Sequence, residues 1–201
     1  MQLYLCNFKS VQRPGEKDKE TIHRVQPHML YHALHTAHRG NACFAPAAET
    51  AAAAFDMLQE EVPELTVLRT PEGKPFLPDY PEFRYNFSDS GNYLVLAVSF
   101  RREIGVDLQR MTAISSDAEV LARRFFHPSD ASRVLACSKE TRLALFFRIW
   151  SIQEAYLKCI GKGLSWGLNH QFVNFENNSI GCKHFQELLP PEEGYWLTVC
   201  E

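Results

Sequence analysis

Two segments near the middle of the chain constrain its fold most. Residues 104–109, IGVDLQ, alternate at a period of two, the pattern of a strand. Ile104, Val106 and Leu108 then share one face, expected to be core. Gly105, Asp107 and Gln109 share the other, where Gly105 is expected to leave room for a ligand to approach the backbone. Residues 140–160 read as one long helix, and Gly161 is well placed to end it. Within it, WSIQEAYLK over 150–158 sets Trp150, Glu154 and Lys158 at i, i+4 and i+8, along one side. Taken singly, Asp107 reads first as a solvent-facing edge residue. Glu154 and Lys158 read first as an exposed ion pair worth about 0.3–0.5 kcal/mol. Taken together, two carboxylates, a cation and an aromatic plate from distant segments suit a magnesium-bound phosphate ester. Mg²⁺ takes one or two carboxylates and leaves phosphate and water to complete its octahedron.

The rest of the chain narrows the class. With 201 residues and 45% hydrophobic content it can form one large domain or two small ones around a real core. The net charge of −3 offers no basic field, so no nucleic-acid partner is expected. No run of 18 apolar residues occurs, so no membrane partner is expected either. The opening MQLYLCNF reads as a first strand and lacks the basic start and long apolar run of a signal peptide. Six scattered cysteines without a CxxC pair argue against a zinc site or disulfide framework, and for a reducing, cytoplasmic setting.

Along the chain, residues 2–8 are expected as a strand, 9–20 as a loop, and 27–38 and 47–59 as helices. A short strand follows at 65–68. The proline-rich 70–83 must be ordered loop or edge. Residues 92–100, NYLVLAVSF, form a strong strand signal. The charged Arg101-Arg102-Glu103 then suggests a β-hairpin with 104–109. Ser116 or Asp117 can cap a helix running to about 126, a second helix covers 129–136, and strands follow the long helix at 171–175 and 195–200. The pattern implies an α+β fold, divided near residue 103 into 1–103 and 104–201.

In this order, GKP (73–75), NFSDSG (86–91), IGVDLQ, WSIQEAYLK and then GKGLS (161–165) resemble the 4'-phosphopantetheinyl transferases, in particular the two-lobed Sfp-type members. The resemblance covers residues 65–165, and GYWLTVC resembles the family's last strand. It implies two similar α+β lobes with the active site in the cleft between them, and a monomer. It also implies Mg²⁺-dependent transfer of phosphopantetheine from coenzyme A to a serine of an apo carrier protein, acyl or peptidyl, releasing adenosine 3',5'-bisphosphate. By that resemblance Asp107 and Glu154 are metal ligands, with Gln109 where many members have a third acid. Glu154 helps deprotonate the serine, and Lys158 contacts the diphosphate. Lys74 is a second phosphate lysine, Ser88 sits at the 3'-phosphate of coenzyme A, and Trp150 forms a pocket wall.

The chain departs from the pattern where Gln153 replaces a lysine and Asp89 replaces a histidine beside the 3'-phosphate. An early arginine is also missing from 45–55, APAAETAAAAF, which carries Glu49 instead. Weakened or rebuilt 3'-phosphate recognition is therefore expected, with His38, Arg39 or Arg84 as candidate replacements. The alternative is a catalytically impaired relative that binds a carrier protein or nucleotide without turnover. His28, His32 and His35 have metal-compatible spacing, yet no Cys or carboxylate completes a set on that helix. A solvated or nucleotide-adjacent helix is expected there. Arg123 and Arg124 could steer an acidic carrier protein, while Phe125 and Phe126 are expected in the core. Lys162, just past the long helix, could meet phosphate or favour that helix's C-terminus through the dipole, and the second is the expectation.

Overall fold

The computed structural model describes residues 1–36, 58, 61–112 and 117–201. Its architecture is α+β, with two main antiparallel sheets and four helices among those residues. The three-stranded sheet has the order β1 (Gln2–Asn7), β5 (Tyr93–Ser99), β4 (Arg84–Ser90). The five-stranded sheet begins with β6 (Gly105–Arg110) and β10 (Tyr195–Cys200). It continues through β9 (Lys183–Leu188), β8 (Ser179–Ile180) and β7 (Val173–Asn174). A two-residue pair, β2 (Leu68–Arg69) with β3 (Pro75–Phe76), carries the proline-rich segment.

The expected hairpin between 92–100 and 104–109 does not form. β5 instead pairs with β4 across Gly91-Asn92, with Ser90 opposite Tyr93. Gly91 sits at φ 58, the positive value a two-residue hairpin turn requires at its first central position. Arg101, Arg102 and Glu103 have no such freedom, and they carry the chain into the other sheet.

Every residue of β5 is buried, and its two faces serve different cores. Leu94, Leu96 and Val98 pack with α1 (Asp18–Thr36) in one cluster. Tyr93, Val95 and Ala97 meet Ile104, Val106 and Leu108 of the β6 segment and Leu197 and Val199 of β10 in another. The two sheets therefore share an apolar layer. The helix α1 is longer than the expected 27–38 and runs straight through Pro27. A mid-helix proline loses one backbone hydrogen bond. Burial of Ile22, Val25, Met29, Leu30, Ala33 and Leu34 outweighs that loss. Asp18 and Glu20 also suit the positive end of the helix, which explains a start inside the expected loop.

Asp117 caps α2 (Ala118–Phe125) by accepting the Glu119 N–H at 2.9 Å. The helix α3 spans Pro128–Ala136, and α4 spans Lys139–Cys159. The strand β9 has no counterpart in the sequence reading; Gly181 at φ 56 turns the chain into it, as Gly91 does between β4 and β5. The expected helix over 47–59, with Glu49, and Ser116, His38, Arg39 and Cys43 lie outside the described residues. Among the described residues the cysteines are free, and no helix is long and apolar enough to cross a membrane.

Candidate active site

Three elements build the site. The apolar residues of β6 face the layer between the sheets, so Gly105 and Asp107 face α4. Gly105 does not admit a ligand, as its residue type suggests, but the helix itself. A Cβ there would collide with the Ala155 carbonyl and the Cys159 amide. This close approach buries Asp107 to 4% exposure, well below an edge residue. Between 150 and 159 of α4, only Trp150, Glu154 and Lys158 remain partly exposed, so the i+4 spacing marks its open stripe.

The third element is β4. Its alternate residues Asn86, Ser88 and Ser90 accept the N–H groups of Val106, Leu108 and Arg110 at 2.9, 3.1 and 3.0 Å. Side chains thus take the place of a backbone ladder along this edge of β6. The sequence reading missed Asn86 and Ser90 in this role. Polar residues at every second position of a strand were the available signal, but not the partner they meet.

Ser88 is also part of the charged centre. Its hydroxyl donates to Asp107 Oδ1 at 3.1 Å and accepts from Lys158 Nζ at 3.0 Å. Lys158 Nζ donates in addition to Asp107 Oδ1 at 2.7 Å and to the Val106 carbonyl at 3.1 Å. Asp107 Oδ2 is buried with no hydrogen-bond partner among the described residues, which costs free energy. Beneath it, Ser151 donates to the Asp107 carbonyl at 3.4 Å. Burial and, next, the Asp107 charge push the Glu154 carboxyl up to about 7, against the opposing pull of Lys158 and a hydrogen bond from Trp150. Two carboxylates that repel each other, one with an orphaned oxygen, fit a hard cation. Among the described residues no third His, Cys, Asp or Glu joins them.

The other expected residues fall around this centre. Gln109 is half-buried, and its amide donates to the Arg110 carbonyl at 3.4 Å. Trp150 packs among Phe125, Phe126 and Phe146, with centroids at 6.1, 6.3 and 5.8 Å. Lys74 Nζ bonds Glu103 at 2.6 Å, the Cys159 carbonyl at 2.8 Å and the Ile104 carbonyl at 3.2 Å. Arg84 meets the same Glu103 at 2.6 Å. Asp89 is exposed on β4, whereas Ser88 beside it is buried. Gln153 is buried, donating to Asp130 at 3.1 Å and to the Gln171 carbonyl at 2.8 Å. Arg123 and Arg124 are exposed, Phe126 is buried and Phe125 half-buried. A pocket of about 160 Å³ beside the centre is lined by Lys74, Lys158 and Lys162 together with Asn86 and Gly73. A larger one, about 480 Å³, shares Lys74 and Pro75 and is walled by Phe76, Leu77, Phe83 and Tyr85.

An acidic pair and an ammonium thus lie beside a lysine-lined pocket. Residues 103–200 match the 4'-phosphopantetheinyl transferase superfamily, and this half of the chain belongs to it. The chain is similar to the 4'-phosphopantetheinyl transferase Sfp of Bacillus subtilis, 36% identical over 136 residues, covering 64% of this chain and 59% of that protein. It is similar to the L-aminoadipate-semialdehyde dehydrogenase-phosphopantetheinyl transferase of Xenopus laevis, 32% over 157 residues, 70% of this chain and 51% of that one. The 4'-phosphopantetheinyl transferase HetI of Nostoc is 40% identical over 96 residues, 46% of this chain and 40% of that one. The chain thus spans little more than half the length of Sfp and of the Xenopus protein, and less of HetI.

Proposed function

We propose that this protein transfers 4'-phosphopantetheine from coenzyme A to a serine of an apo carrier protein, with Mg²⁺, releasing adenosine 3',5'-bisphosphate. The reading includes a monomer in the cytoplasm, divided near residue 103 into two α+β lobes with the site in the cleft between them. The observation that carries it is the Asp107–Glu154 pair. Two carboxylates from β6 and α4 feel each other's charge beside an ammonium, and Asp107 Oδ2 has no hydrogen-bond partner among the described residues.

Asp107 and Glu154 would hold the metal, with Gln109 able to add a neutral ligand or to hold a water. Mg²⁺, when bound, neutralises diphosphate charge. The residues of the chain do the rest. Glu154, directly or through a metal-bound water, would help to take the serine hydroxyl proton. The serine oxygen then bonds to the phosphorus of the phosphopantetheine phosphate. The bond from that phosphorus to the bridging oxygen breaks, and the bisphosphate leaves with the charge. Lys158, already at the mouth of the centre, stabilises that charge. Ser88 orients both Lys158 and Asp107. The 480 Å³ pocket, apolar and flanked by Arg84, suits a flat nucleotide base. Asp89 lies on the nucleotide side, and Trp150 keeps Glu154 in place.

The test is to incubate the protein with apo carrier proteins, coenzyme A and Mg²⁺ and to weigh the carriers. A gain of one phosphopantetheine, lost with Glu154→Gln, is expected. Carriers of unchanged mass beside measurable coenzyme A binding would reduce the protein to a binding module.

A further inference from the structure

The three ammonium groups around the 160 Å³ pocket differ in what they have left to give. An ammonium has three N–H donors. Lys74 uses its three on Glu103, Ile104 and Cys159. Lys158 uses its three on Asp107, Ser88 and Val106. Among the described residues, Lys162 meets only Glu72, at 3.1 Å, and both side chains are exposed, at 41% and 45%. Such a pair is screened by water and worth little, so an anion can displace the carboxylate at low cost. The remaining wall favours close approach of a ligand. Gly73 and Gly161 hold positive φ, 94 and 74, and a Cβ at Gly73 would meet nothing within 4 Å.

We infer that Lys162 is a further phosphate-binding residue of this pocket, the one with donors to spare, that Glu72 is its displaceable counter-ion, and that Lys74 is a positioning residue. Lys74 ties the β5–β6 connection, through Glu103 and Ile104, to the last carbonyl of α4. It fixes the distance between the strand that bears Asp107 and the helix that bears Glu154. The ligand's chemistry is a diphosphate. Naming it as that of coenzyme A rests on the function proposed above. The helix-end role expected for Lys162 from sequence gives way because its ammonium reaches Glu72 across the pocket mouth rather than a carbonyl of α4.

Titration calorimetry with Mg²⁺ tests this, using coenzyme A, inorganic pyrophosphate and pantetheine, which lacks phosphate. Lys162→Met should weaken coenzyme A and pyrophosphate roughly three- to tenfold and flatten their salt dependence. Pantetheine binding should not change, and Lys162→Arg should restore most of the loss. Glu72→Gln should tighten both anions. Unchanged anion affinity in Lys162→Met overturns the assignment and leaves the coenzyme A reading standing. Equal weakening of pantetheine also overturns it, because that marks a structural role. Lys162-dependent pyrophosphate binding without coenzyme A binding keeps the assignment and removes the coenzyme A reading. A wild-type protein that binds neither anion sinks both.

Discussion

The side-chain ladder between β4 and β6 makes a graded prediction, because two of its bonds are buried and the third is exposed. Asn86→Leu keeps the branching of the side chain but removes the acceptor for the Val106 N–H. Asn86 is 7% exposed and Val106 is fully buried, so water cannot replace the lost oxygen. An unsatisfied buried donor costs about 1–3 kcal/mol. In a protein of this size each kcal/mol moves Tm by roughly 2–4 °C, so a fall of about 2–12 °C is expected. Ser88→Ala should cost at least as much, since it orphans the Leu108 N–H and also strips a partner from Asp107 and from Lys158. Ser90→Ala lies at the exposed end, where water can take over from the Ser90 hydroxyl, and should stay within about 0.5 kcal/mol. Urea unfolding with fitted slopes, alongside thermal melts, measures all three. If Asn86→Leu proves as stable as Ser90→Ala, the ladder does not hold the sheets together and the reasoning fails.

Three further outcomes follow from the site. In chelator, Glu154 should make the protein less stable as pH rises. Its folded pKa, raised to about 7 by burial and Asp107, lies above the ordinary carboxylate value of 4.5. Its stabilising share is therefore whole below 4.5 and is lost as pH climbs through 7. Glu154→Gln should flatten the Tm profile between pH 5 and 8, and an equally sloped profile in the variant would count against it. Gly105→Ala should push α4 off β6, costing about 1–3 kcal/mol and more activity than stability, as seen by melts and carrier mass gain together. Asp89→His should tighten coenzyme A several-fold but leave dephospho-coenzyme A unchanged in competition binding; equal effects on both would remove Asp89 from the 3'-phosphate side.

The parts of the site that obey a local period were legible in the sequence. The two-residue repeat of IGVDLQ and the four-residue spacing of Trp150, Glu154 and Lys158 are properties of one strand and one helix, and both hold in the fold. The helix-capping Asp117 was legible for the same reason. The β5–β6 hairpin was not, because adjacency in sequence says nothing about which edge a strand will find. A glycine able to take positive φ at 91 decided that instead. The strand β9 escaped notice although Gly181 carries the same turn chemistry.

Sequence by itself thus determined an α+β chain, the strand and helix that bear the two acids, and, through its ordered motifs, the family those segments resemble. Tertiary structure decided what each charged group is free to do. Asp107 became a buried carboxylate with one orphaned oxygen because Gly105 lets α4 lie directly on β6. Lys74 and Lys158 spend their donors on the frame of the protein, whereas Lys162 keeps two of its own among the described residues. Hydrogen-bond donors are consumed by whatever acceptors lie within about 3 Å, and only the assembled fold places those acceptors.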